Sequence, residues 1–236
     1  MLNGVTLNVE QGQSLVVIGA SGTGKSVLLK HIVGLLKPDE GEVWFDGQRI
    51  DNLPESELMK VRTRFGFLFQ MGALFDSLTV ADNVAFPLVE HTTKSPEEIS
   101  ELVTRDLSLV GMPEMGGKMP AELSGGQRKR AALARAIALN PDVVLYDEPT
   151  TGLDPIRSDV INELILKLQR ELKITHIVVT HDMASAFKVG RRIVMLHEAK
   201  LIFDGTPQEI QNTDDPRVKR FVLGEATEEE LATLRR

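Results

Sequence analysis

The apolar positions of this chain change period several times, and each change marks a structural element. Near the start, Val5, Leu7 and Val9 alternate with Thr6, Asn8 and Glu10, the pattern of a half-buried strand. "QGQ" then turns the chain into "SLVVI", which is apolar without a break, as in a strand covered on both faces. Runs of the same kind recur in "FGFLFQ", "DVVLYDE" and "HIVVTHD", each followed by turn residues or a helical pattern. That alternation predicts strands with helices on both faces, an α/β fold. "GEVWFDG" reads as a further strand and "RRIVMLHEAKLIFDG" as a hairpin.

Between Gln70 and Leu123 the strand signal gives way to helical spacing. "TVADNVAFPLVEH" is followed by "SPEEISELVTRDLSLVG", where Ser95 is placed to cap a helix, Pro96 to open it and Glu98 to close a capping box. The expected organisation is a single domain over 1–236. Its α/β core comprises 1–70, with a β part at the start, and 124–204; a helical subdomain fills 71–123, and helices and a tail occupy 205–236. In that last part "TPQEIQ" and "DPRVKRFVLG" read as short helices, and "EATEEELATLRR" as a tail or docking helix.

At 236 residues and 42% hydrophobic, the chain can bury one substantial core. A net charge of −7 argues against a general nucleic-acid binder, which shows a basic face. The absence of cysteine excludes disulfides, thiolate metal sites and a cysteine nucleophile. Every apolar run is shorter than the ~18 residues of a membrane span. The opening "MLNGVTLNVEQGQ" lacks the basic end and apolar centre of a signal peptide, so the expectation is a protein that stays where it is made.

Gly19, Gly24, Lys25 and Ser26 fit G-x-x-x-x-G-K-[ST] between a buried strand and a helix, the setting a phosphate loop needs. Glycines let the N–H groups of Gly19, Ala20, Ser21, Gly22, Thr23, Gly24, Lys25, Ser26 and Val27 turn around a phosphate; Lys25 neutralises its oxygens, and Ser26 can ligate Mg²⁺. "VVLYDE" ends an apolar strand in two carboxylates, whose burial calls for a cation or hydrogen-bond partners. Adjacent strand residues face opposite ways, which assigns Asp147 to the metal and Glu148 to an attacking water. The alternative at this point is a strand end with solvated acids.

"LSGGQRKRAALARAIALNP" supplies a second helix N-terminus suited to an anion, with Ser124, Gly125, Gly126 and Gln127 at its start. A nucleotide already cradled by Gly19 to Ser26 leaves this end for the γ-phosphate held by another copy, hence two sites shared head-to-tail across a twofold axis. The alternative is an ordinary helix cap. Arg128, Lys129, Arg130 and Arg135 read as a solvated basic face. His176 and His181, five apart along a strand, fall on opposite faces and are not joint metal ligands. His31, His91 and His197 have no supporting constellation; Asp154 before Pro155 reads as an N-cap.

With these residues in order, the chain resembles the ATP-binding-cassette ATPases over nearly its whole length. "GASGTGKS" matches the phosphate loop, "FLFQ" the Q-loop ending in Gln70, "LSGGQ" the signature, "VVLYDE" the Walker B strand, "GLDP" the D-loop and "VVTHD" the segment of the switch histidine, His181. The resemblance implies a P-loop fold of mixed sheet, antiparallel β part and inserted helical subdomain. It also implies ATP hydrolysis with Mg²⁺ held by Ser26, Gln70 and Asp147, and Glu148, His181 and Gln70 as catalytic residues. In that family Gln70 contacts metal or water and senses the membrane partner, and His181 touches the γ-phosphate. The family's upstream aromatic for stacking adenine has no counterpart here, since Tyr146 lies in "VVLYDE" and Trp44 in "GEVWFDG". Either the start lies further upstream or adenine is held less firmly.

"FQMGALFDSLTVADNVAFPLVEH" and "DPRVKRFVLG" are similar to the ATPases of the Mla system, which moves phospholipids between the two membranes of Gram-negative bacteria, and of related MCE-protein transporters. This implies a homodimer at the cytoplasmic face of the inner membrane, with an MlaE-type permease, an MlaD-type MCE protein, an MlaB-type STAS-domain protein and no nucleic acid. The alternatives are a cassette serving another substrate, or one acting on nucleic acid or ribosomes. Long coiled-coil or basic insertions, or a second cassette, would mark the latter, and none is visible. A nucleotide sensor without catalysis would lack Glu148 or His181.

Overall fold

The computed structural model describes residues 2–226. Its main sheet has six strands in the order β4-β5-β6-β1-β7-β8: β1 is Ser14–Ile18, β4 Phe65–Leu68, β5 Val143–Asp147, β6 Thr175–Thr180, β7 Arg192–His197 and β8 Lys200–Gly205. β4, β5, β6, β1 and β7 run parallel, and β8 returns antiparallel to β7. The expected hairpin and the four buried runs are therefore all strands.

Strand pleating divides the core into two layers. Val16, Ile18, Val144, Tyr146 and Val178 share one layer with α3 (Val80–His91), α4 (Pro96–Leu109), α5 (Gly125–Ile137), α6 (Pro155–Leu172) and α7 (Met183–Val189). Leu15, Val17, Leu145, Ile177 and Val179 share the other with Leu28 and Leu29 of α1 (Lys25–Ile32). Burying each such aliphatic side chain stabilises by about 1.5–3 kcal/mol, which is why central strands tolerate no polar alternation.

Helix starts follow the sequence signals. Ser95 Oγ accepts the Glu98 N–H while Glu98 returns a bond to the Ser95 N–H, with Pro96 in the first turn. Asp154 Oδ1 accepts the Arg157 N–H at 2.9 Å ahead of Pro155. Between β4 and β5 the described chain holds α3, α4, a 3-10 turn at Pro120–Glu122 and α5. α8 (Pro207–Gln211) and α9 (Pro216–Leu223) cover the two short C-terminal patterns, whereas most of "EATEEELATLRR" lies outside the described residues.

Three features differ from expectation. Residues 5–9 alternate half-buried and exposed, but they form no strand. Val5, Leu7 and Val9 pack beneath the sheet without a ladder partner, and the segment is tied to the hairpin by the Asn3 N–H donating to Ala199 O at 2.8 Å and by Arg192 Nη1 donating to Asn8 O at 2.7 Å. The "GEVWFDG" strand is reduced to Trp44–Phe45 (β2), paired only with Gln48–Arg49 (β3) in a two-stranded ribbon. A helix not signalled by long periodicity, α2 (Glu55–Arg62), follows; it buries Leu58 and Val61, and its charges suit the helix dipole, Glu55 and Glu57 early, Lys60 and Arg62 late.

Within the helix-covered layer, the Tyr146 hydroxyl lies 2.8 Å from His176 Nδ1, both side chains fully buried. Burial pushes the His176 imidazole down from 6.5 to about 4. Because the unfolded chain protonates first, the stabilising neutral form is fully favoured above pH 6.5 and its advantage is lost as pH falls towards 4. We predict that His176→Gln removes roughly 3 kcal/mol of the acid-dependent loss of stability across that window. Urea titrations at several pH values check this, and parallel pH profiles for the two proteins would contradict it.

Candidate functional site

Parallel register brings the sequence motifs to one edge. Ile18 of β1 pairs with Thr180 of β6, and Asp147 of β5 pairs with Val179, so Gly19, Glu148 and His181 all leave the sheet at the carboxyl ends of adjacent strands. Open α/β sheets bind ligands at this edge.

The phosphate loop joins β1 to α1. A Cβ on Gly19 would sit 2.3 Å from the Leu196 carbonyl oxygen, so only glycine lets the loop cross β7 this closely. Gly24, at φ 104°, caps α1 in the left-handed region. Lys25 is 7% exposed, and its Nζ donates to Gly19 O at 2.8 Å and Ala20 O at 3.0 Å. Thr23 Oγ1 donates to Ala20 O, and the Val27 carbonyl pairs with His31 Nδ1 at 2.8 Å, a structural use for that histidine. Ser21 and Gly22 are exposed at the tip.

Asp147 and Glu148 take different partners, but not by strand alternation, since β5 ends at Asp147 and Glu148 lies beyond it. Asp147 Oδ1 accepts Ser26 Oγ–H at 3.0 Å. Burial raises the Asp147 carboxyl, with the Ser26 bond opposing and the Glu148 charge adding to the rise. Glu148 Oε1 lies 3.8 Å from Lys25 Nζ, and Oε2 lies 2.8 Å from His181 Nδ1 and accepts Thr151 Oγ1–H at 3.2 Å. Burial lowers the Lys25 ammonium first, with Glu148 and then Asp147 drawing it back up. Lys25 and Glu148 therefore hold each other's charge where little solvent reaches, with His181 half exposed beside them.

Glu148 is itself left-handed, at φ 51°, a conformation that costs a bulky residue about 1–3 kcal/mol and clusters at functional sites. Its N–H donates to Val179 O at 2.9 Å. His181 follows β6 directly, its side chain half exposed. Asp182 caps α7 by accepting the Ala184 N–H at 3.1 Å and the Ser185 N–H at 3.3 Å, which fixes the turn that carries the histidine.

Gln70 lies two residues beyond β4, exposed, and its side chain makes no hydrogen bond among the described residues. Ser124 and Gln127 form a complete capping box: Ser124 Oγ accepts the Gln127 N–H at 3.3 Å, and Gln127 Oε1 accepts the Ser124 N–H at 2.8 Å. The Gly125 and Gly126 N–H groups have no acceptor among the described residues. No hydrogen bond joins Ser124–Gln127 to Gly19–Ser26; instead Leu153 and Arg157 lie beside the two glycines.

The basic run is only in part a solvated face, Arg128 being exposed but Arg130 and Arg135 half-buried. Lys129 is 6% exposed, with its Nζ donating to Gln70 O at 3.0 Å and Glu148 O at 3.2 Å, and burial brings its ammonium down to about 8. Arg135 donates to the Ala73 and Gly72 carbonyls, Arg128 to Leu123 O, and Arg130 to Val110 and Gly111 O. These cations tie loops to α5, and helical spacing could have found Lys129: it shares a face with the buried Ala132 and Leu133 at i+3 and i+4.

Residues 2–151 match the family described as ABC transporter. The chain belongs to the ABC transporter family. This cassette is 45% identical over 222 residues to the intermembrane phospholipid transport system ATP-binding protein MlaF of Haemophilus influenzae, covering 94% of this chain and 84% of that one. It is 44% identical over 220 residues to the probable ribonucleotide transport ATP-binding protein mkl of Mycobacterium leprae, covering 93% of this chain but 63% of that longer one. Among solved structures it superposes at TM-score 0.80, with 37% identity over 87% of this chain and 90% of the other, on the dimeric post-hydrolysis state of the ATP-binding cassette MJ0796 bound to ADP and Pi. With cbiO1 from Clostridium perfringens, part of the ABC transporter complex cbiONQ, the TM-score is 0.83 at 32% identity, covering 99% of this chain and 91% of that one. The cassette is accordingly an ATP-hydrolysing, ATP-binding subunit of an ABC transporter.

Two substitutions test the loop. Lys25→Ala should weaken ATP binding at least about a hundredfold, near 3 kcal/mol, and unchanged affinity by calorimetry would contradict the assignment. Gly19→Ala should destabilise the fold by about 1–3 kcal/mol through the clash with Leu196 O; an unshifted denaturation midpoint would contradict the close-approach argument.

Proposed function

We propose that two copies of this chain close head-to-tail on two ATP molecules and that this closure drives an integral-membrane permease, with phospholipid as the cargo. The observation that carries the dimer is the division of the pocket. One helix start with unpaired Gly125 and Gly126 N–H groups is unconnected to the phosphate loop of its own chain, so a γ-phosphate held by Lys25 needs that end from a second copy. The cassette it resembles at TM-score 0.80 is dimeric with ADP and Pi bound, which supports the same arrangement.

In this reading Lys25 neutralises β- and γ-oxygens, Glu148 polarises the attacking water, and His181, beside that carboxylate, touches the γ-phosphate. Ser26, Asp147 and Gln70 would hold Mg²⁺. The donor set suits a hard cation that keeps waters and phosphate oxygens, for it offers one carboxylate, a hydroxyl and an amide, and no cluster of three acidic or histidine ligands occurs among the described residues. When bound, Mg²⁺ would offset phosphate charge and, by its own charge, counter the desolvation that raises Asp147.

A groove of about 340 Å³ between β4 and α3 supports the permease contact. It is lined by Phe65, Phe67, Phe69, Phe75 and Phe86 with Arg135, and Phe69 precedes Gln70 in the chain. Three of those rings are about 40% exposed (Phe69 41%, Phe75 43%, Phe86 40%), which is unusual for phenylalanine unless something covers it. No helix among the described residues is long and apolar enough to cross a membrane, so the path for cargo would come from another chain. The permease would be of the MlaE type, with an MlaD-type MCE protein and an MlaB-type STAS-domain protein completing the assembly at the cytoplasmic face of the inner membrane. Ribonucleotide is the second cargo reading, favoured by the 44% identity to mkl. Transport assays with the partner permease, phospholipid against ribonucleotide, separate the two.

Glu148→Gln should keep ATP affinity, abolish turnover and accumulate an ATP-dependent dimer. Size-exclusion chromatography with ATP and Mg²⁺ checks this, and an exclusively monomeric variant would overturn the shared-site reading.

A further inference from the structure

The mechanism above leaves one buried charge without a task. Lys129 sits in the second turn of α5, almost out of solvent, and no carboxylate lies within ion-pairing distance of it among the described residues. It spends its donors on two backbone carbonyls from different loops, Gln70 O at 3.0 Å and Glu148 O at 3.2 Å. An ammonium placed in the interior for packing alone would carry a large desolvation cost that an unbranched apolar residue such as methionine avoids.

What those carbonyls belong to decides the matter. Glu148 holds a left-handed backbone, and three contacts keep its peptide there: its N–H to Val179 O at 2.9 Å, its carbonyl to the Thr151 N–H at 3.3 Å, and the same carbonyl to Lys129. Only the last comes from a side chain, and only it reaches the helix that begins at Ser124. Gln70 O has no other donor among the described residues, so Lys129 also fixes where the chain turns after β4. One side chain therefore joins the backbone of the carboxylate, the loop that leaves the phenylalanine groove and the helix end with unpaired amides.

We propose that Lys129 is a positioning residue for hydrolysis: by bonding to Glu148 O and Gln70 O it holds the Glu148 backbone in its left-handed state and ties it rigidly to α5. Its effect falls on the aim of the carboxylate, not on the grip on nucleotide, since Lys129 touches no part of Gly19–Ser26. The proposal rests on the reading of Glu148 as the group that polarises water.

The test uses the full chain with K129M, K129R and K129L. K129M keeps the apolar stem without a donor, and it should lower kcat at least about tenfold while KM and the dissociation constant for ATP stay within about twofold. K129R, whose planar fork can serve two carbonyls, should recover at least about a third of the wild-type kcat. Hydrogen exchange without nucleotide should quicken in peptides spanning 69–73 and 147–152 of K129M and remain unchanged in the rest of the sheet. Wild-type kcat in K129M, a loss that parallels weakened ATP binding, or exchange raised evenly through the sheet would each overturn the proposal. If K129M does not fold, K129L, which also lacks a donor, is judged by the same criteria. Glu148→Gln separates the two layers: turnover persisting in that variant sinks the reading of Glu148, whereas an inactive Glu148→Gln beside a fully active K129M sinks the role of Lys129 alone.

Discussion

The site depends on burial of a lysine charge at the edge of a parallel sheet. Lys25 is 7% exposed, and in place of water it has two loop carbonyls and the Glu148 carboxylate at 3.8 Å. An ammonium in such a place is costly unless anionic groups converge on it, and these do so because β1, β5 and β6 run parallel in fixed register. That register in turn depends on strands apolar on both faces, which is the physical content of "SLVVI", "VVLY" and "HIVVT". The chemistry at the edge and the packing in the core are two results of one pattern.

This explains how much could be read from sequence. Buried parallel strands announce themselves as unbroken apolar runs, and Ser95 and Asp154 announce helices through local capping bonds that need no tertiary partner. The phosphate loop and the acid pair were legible because both sit directly where a run ends. Residues 5–9 misled because alternation reports burial, while a strand also needs a neighbour to bond with, and the alternating burial is present without the ladder. The two-residue strands at Trp44 and Gln48 fall below what periodicity resolves.

Lys129 illustrates the opposite limit. A cluster of four cations reads as solvated because charge is costly to bury, yet backbone carbonyls of distant loops, which no sequence pattern displays, receive three or more of their donors. Thr151 on Glu148 is equally silent in sequence. Contacts of this kind become visible only when the loops that supply the acceptors are placed. They also connect regions that hydrophobic patterning treats as separate: α5 starts beside Leu153, passes Gln70 and Glu148, and ends against the phenylalanine groove through Arg135.

The central claim is that each chain carries only part of an ATP pocket. The chain has no cysteine, so introduced thiols report without background. Ser21→Cys and Ser124→Cys, placed together in one chain on the Glu148→Gln background, put one thiol at each exposed lip of the divided pocket. The account predicts that ATP with Mg²⁺, in the presence of a mild thiol oxidant, yields a disulfide-linked dimer on a non-reducing gel, joined between position 21 of one copy and position 124 of the other. A disulfide formed within a single chain, or no ATP-dependent dimer, would contradict it.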